Sequence, residues 1–115
     1  MKRNQNTIFL RKYKNEDAYK VFLFFKKQNA YKEFSNFKKW HEYSKWAYWN
    51  NPYVKGKSPA MLGLKNSKIV WFSAKIFVPF RIKNKLEICP ILDKMCKHKN
   101  LNNLISFKLI FNFWN

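Results

Sequence analysis

The sequence predicts an α+β fold, with an N-terminal helical extension followed by a small, mainly antiparallel sheet domain. Three observations predict it. From Glu16 to Trp49 the chain contains neither glycine nor proline. The stretch "NNPYVKGKSP" then concentrates Pro52, Gly56 and Pro59. Beyond that break, β-branched and aromatic residues alternate with lysines. The 115 residues suit one compact domain, organised as a basic tail (1–15), a helical extension (16–48) and a small α+β domain (49–115).

Residues 1–15 are polar and basic without apolar period, and are expected to be unstructured or laid along RNA. The helix is expected to start at "NEDAYKVF", with Asn15 as N-cap and Glu16 and Asp17 in the first turn, where carboxylates favour the positive end of the helix dipole. A break is expected near Gln28–Asn29. Tyr31, Phe34, Phe37, Trp40, Tyr43 and Trp46 then recur every third residue. Each step of three lags by about 60° on a helix of 3.6 residues per turn, so the stripe winds round. Protein neighbours on several sides account for such a stripe. The alternative lays some of these rings against unpaired RNA bases.

Strands are expected at Lys68–Phe72, Lys75–Ile82 and Leu86–Leu92. Pro79 and Pro90 cannot donate to a ladder, which assigns them to edges or bulges. The end, "LISFKLIFNFWN", alternates. As a strand it would place Ile105, Phe107, Leu109, Phe111 and Phe113 on one face. No internal repeat is present.

Charge sets the function class. There are 24 Lys and Arg against 6 Asp and Glu, a net +18. A free chain of this charge repels itself, and a polyanion relieves the repulsion. RNA and an anionic membrane surface both qualify. The lysines run along the whole length, as in "FRIKNKLE" and "DKMCKHKN". Lysine is a point charge, suited to a phosphate backbone and poor at reading bases. Structured RNA recognised by shape fits this best.

Other chemistries are poorly supplied. Cys89, Cys96 and His98 lack the paired spacing of a structural zinc site, so no metal is expected. Two cysteines make no disulfide framework and point to a reducing compartment. A Cys–His nucleophile would need an orienting group and an oxyanion site that nothing here assigns. Gly56 and Gly63, the only glycines, form no phosphate-cradling loop. The chain is read as non-enzymatic, with no cofactor. "MKRNQNTIFLRKYK" lacks the apolar centre of a secretory signal. "VFLFF" falls far short of the ~20 residues of a membrane span. The wealth of Lys, Asn, Phe and Ile, whose codons are rich in A and T, points to a gene of an AT-rich organelle.

Residues 46–99 resemble the small-subunit ribosomal proteins of the S-nineteen family. Trp49, Pro52, Tyr53 and Val54 answer its "W-K-x-P-F-V" box, and Asn66, Ser67 and Ile69 its "R-S-S-x-I" segment. Asn84 and Lys85 stand at its "N-G-K" turn, without the glycine, and Pro90 and Ile91 at "P-V-x-I". Met95, His98 and Lys99 keep the M-x-x-H-K spacing. The resemblance implies a small α+β domain in the subunit head, bound to small-subunit rRNA beside neighbouring ribosomal proteins, in a mitochondrion. The resemblance and the basic stretches together give the expected rRNA contacts as Trp49, Asn50, Pro52, Lys55, Lys57, Lys83, Asn84, Lys85, Lys97, His98, Lys99 and Lys108. His98 is equally readable as a hydrogen-bonded structural residue. The competing function is an accessory subunit of an organelle-encoded inner-membrane respiratory complex, its basic surface facing anionic lipid.

Overall fold

The computed structural model describes residues 7–54 and 59–114. Lys55 and Lys57 therefore lie outside the described residues. The fold is α+β. Four antiparallel strands run in the order β1 (Phe9–Lys12), β2 (Ala60–Lys65), β3 (Lys68–Ile82) and β4 (Lys85–Lys97). Helices α1 (Ala18–Lys27) and α2 (Phe37–Ser44) follow β1, and α3 (Asn103–Trp114) follows β4.

Of the segment expected to be unstructured or laid along RNA, residues 1–6 lie outside the described residues and residues 9–12 form β1. Arg11 lies in β1, and its guanidinium holds the Asp17 carboxylate through two bonds of 2.8 and 2.9 Å. Asp17 also accepts the Lys14 N–H at 2.8 Å. Burial works against the Asp17 charge, yet these donors keep its pKa below the ordinary carboxylate value. Asp17 thus caps from inside the first turn, and Asn15 is not the N-cap. The Asn15 side chain meets His41 Nε2 at 2.6 Å instead.

The helical extension expected over 16–48 is divided into α1 and α2 by the non-helical residues 28–36. The break falls at Gln28–Asn29, as the sequence indicates. Asn29 adopts φ 57°. Its N–H and that of Ala30 bond back to Lys26 and Phe25, the closure of a Schellman motif with Asn in the glycine place. Asn36 then caps α2, accepting the Lys39 N–H at 3.0 Å. A π-helical turn, Lys45–Trp49, follows and closes with the Asn50 N–H on the Lys45 carbonyl.

Both hairpins use two-residue turns with positive φ at each position: Asn66–Ser67 (52° and 63°) and Lys83–Asn84 (50° and 66°). That sign matches the right-handed strand twist, and asparagine tolerates it better than most residues.

Trp40 sits at the centre of the core between sheet and helices, fully buried. Tyr13, Phe25, Phe34 and Phe72 lie around it at ring separations of 4.9–6.3 Å. Such offset and edge-to-face pairs add to the burial term. Five rings of the period-three stripe pack here, and only Trp46, at 66% exposure, projects outward.

The opposite face of the sheet is covered by α3 through Leu109 and Ile110, against Trp71, Leu10 and Met61. This overturns the terminal strand expected over 105–113. Asn102 caps the helix, accepting the Leu104 N–H at 2.7 Å. Ser106 and Leu109, three apart, form the buried face, while Leu104 and Ile105 stay exposed. A segment apolar nearly all round satisfies both periodicities, and the cap decides. Gly63 permits the adjoining packing, because a Cβ there would stand 2.9 Å from the Trp71 Cβ.

Candidate RNA-binding surface

β3 and β4 are longer than the rest of the sheet. β2 pairs with β3 only as far as Ala74, so residues 75–82 pair with β4 alone. The result is a two-stranded arm ending at Lys83–Asn84. A register shift at Ala74/Lys75 marks its base. The arm helps give the molecule extents of 55 × 32 × 22 Å.

Its base is fastened by a carboxylate. Asp93, beside the register shift, accepts the Tyr43 hydroxyl at 2.7 Å and the Tyr48 hydroxyl at 2.7 Å. Burial first, and then the Asp93 charge, raise the pKa of both phenols. Lys94 lies 3.8 Å from Asp93 and 5.0–5.8 Å from the Tyr31, Phe34 and Tyr43 ring centres. Cation–π attraction thus replaces water around this half-buried ammonium. The Tyr31 hydroxyl occupies the outer edge of β4, donating to the Met95 carbonyl and accepting its N–H.

The arm itself lacks such cover. Phe80, Ile82, Leu86, Ile91 and Leu92 are exposed, Leu86 most of all at 66%. Arg81, Lys83 and Lys85 stand among them, with Glu87 as the one arm acid. Both prolines occupy edges, as expected. In the register, Lys75, Phe77 and Pro79 share one parity on β3, opposite Leu92, Pro90 and Ile88 on β4. The Lys75 N–H turns outward to the Pro59 carbonyl at 2.6 Å, and the Phe77 carbonyl outward to Asn51 Nδ2 at 3.3 Å. Pro79 and Pro90 therefore put their missing N–H groups on the two open edges. The arm offers side chains and withholds backbone pairing.

The expected contact residues divide into three groups. Lys83, Asn84 and Lys85 form the exposed tip. Trp49, Asn50 and Pro52 sit by the arm's base, where Trp49 is half-buried with its ring 5.1 Å from Tyr13. Lys97, His98 and Lys99 lie at the other end of β4, about 40 Å from the tip at ~3.3 Å per residue. Lys97 Nζ is engaged with the Leu101 carbonyl at 3.0 Å. His98 Nδ1 accepts the Asn100 N–H at 3.1 Å. Lys108 is exposed on α3. The structure brings His98 into one cleft with Lys20, Lys27, Lys65 and Lys68, none of which the sequence singles out as a contact. Lys65 and Lys68 bracket an Asn-Ser turn, which was the available signal.

Cys96 is buried, and burial pushes its thiol pKa up to about 11. Among the described residues no three His, Cys, Asp or Glu side chains gather as a metal site. Among them, too, no helix is long and apolar enough to cross a membrane. Compared with family models, with curated proteins and with solved structures, the chain matches none.

Proposed function

We propose that this chain is a structural, non-catalytic protein of a mitochondrial small ribosomal subunit, holding folded rRNA in the subunit head beside neighbouring ribosomal proteins. The observation that carries the reading is a count: six acids cannot neutralise 24 cations in any arrangement, so a net +18 stays uncompensated within the chain. Counterion release on phosphate makes such an excess useful. The arm supports the same reading, since it mixes exposed cations with exposed apolar side chains and carries a proline on each open edge.

The test is sedimentation. The protein is expected to travel with small ribosomal subunits in detergent and to leave them after ribonuclease or high salt. Migration with a detergent-solubilised respiratory complex would replace this reading with the accessory-subunit one. Changing Lys85, Lys97 and Lys99 together to Glu is expected to abolish subunit association. Unchanged association at physiological salt would overturn the assigned surface.

A further inference from the structure

A second concave feature lies away from the arm. Between α1 and the β2–β3 turn runs a cleft of about 660 Å³, within the ~300–1,000 Å³ range of small-molecule sites. Its floor is apolar, with Leu23 of α1 facing Ile69 of β3. Its rim carries Lys20 and Lys27 from the helix and Lys65 and Lys68 from the strands. No acid lines it. His98 closes one end, and because Nδ1 accepts a backbone N–H, the neutral ring carries its proton on Nε2 as a donor.

An apolar floor under a polar rim whose charges are all cationic matches the two halves of a nucleotide. A base lies flat on aliphatic surface, and its flanking phosphates meet ammonium groups. A duplex would satisfy only the rim, because its base faces are stacked inside. Sequence-tolerant binding of unpaired strands combines a cationic groove with a platform for the base, commonly aromatic and here aliphatic. We infer that the cleft takes an unpaired nucleotide of an RNA strand, its base over Leu23 and Ile69 and its phosphates between Lys27 and Lys68. The arm and the cleft then divide the RNA, folded surface to one and single strand to the other.

This rests on the RNA-binding reading above, and the experiment separates the two. The full chain is titrated by fluorescence anisotropy with a labelled single-stranded oligoribonucleotide, with a duplex hairpin, and with the same strand bearing abasic positions. Lys27→Ala combined with Lys68→Ala removes two phosphate contacts. Single-strand affinity is expected to fall roughly tenfold, and the slope of log Kd against log salt by about 1.4. Duplex affinity should hold. Leu23→Ser is expected to weaken the normal strand and leave the abasic one unchanged. All three side chains are exposed, and circular dichroism checks that each variant stays folded. Equal losses on strand and duplex, or no loss, overturn the cleft assignment. So does displacement of the strand by an equimolar free nucleoside monophosphate. If the variants lose single-strand binding but the protein fails to sediment with ribosomal subunits, the cleft stands and the ribosomal reading falls. If it sediments and the variants bind as before, the cleft alone falls.

Discussion

The body of the molecule and its arm share two strands yet live in different environments. In the first half of β3, Trp71, Phe72, Ser73 and Ala74 are buried between helices on both faces. In the second half, Phe80, Arg81 and Ile82 are exposed. Composition hardly changes along the strand. What changes is whether this chain provides the cover. In the body, apolar area is removed from water at roughly 25 cal/mol per Å² and stabilises the fold. In the arm, the same residue types contribute little until something else covers them. The difference separates residues that stabilise the fold from residues that the described chain leaves in water.

The largest effect that would sharpen this contrast is truncation of Trp40. Trp40→Ala is expected to cost about 3–5 kcal/mol, a large part of a small domain's stability. Paired Phe80→Ser and Leu86→Ser in the arm should stay within roughly 0.5 kcal/mol while weakening subunit association. Chemical denaturation of both variants measures the gap. Comparable destabilisation would show that the arm belongs to the cooperative core.

Next in size is the fastening at the arm's base. Asp93→Ala leaves two buried phenols without their acceptor and Lys94 without its counter-charge. The expected cost is about 3 kcal/mol. Asp93→Asn, which keeps a carbonyl acceptor, should cost less. If the two variants unfold together at the wild-type denaturant midpoint, Asp93 does not join body to arm.

The smallest effect is a pH dependence. Tyr43 and Tyr48 have folded pKa values raised above their ordinary 10.0 by burial, with Asp93 adding to it. A raised folded pKa gives stability that is fully present below the unfolded value and lost as pH rises towards the folded one. The stability advantage of wild type over Tyr48→Phe should therefore be constant up to about pH 9 and shrink above pH 10. Comparing the two proteins cancels the lysine titration common to both. A difference that grows with pH would refute the assignment.

Legibility followed the range of the interactions. The strand character of 68–72, 75–82 and 86–92, the helix break at Asn29 and the edge roles of both prolines depend on local chemistry, and the sequence displays it, although the first two segments form one strand, β3, and the third extends to Lys97 in β4. The α+β class followed from these. Strand β1 was illegible because its four residues carry no apolar period, and their pairing partners lie some 50 positions onward. Helix α3 was misread because its alternation is real; the deciding group, Asn102, stands just outside the pattern. At the candidate site, the tip lysines were legible from charge and turn chemistry. The cleft was not, because Lys20 and Lys27 meet Lys65 and Lys68 only after α1 crosses the sheet.

Pro79 and Pro90 bear on how copies of the protein meet one another. Newly made copies carrying a greasy, flat ribbon would ordinarily template one another into fibres through their free edges. With an imino ring on each border, each edge lacks a donor that a second ribbon would need for a continuous ladder.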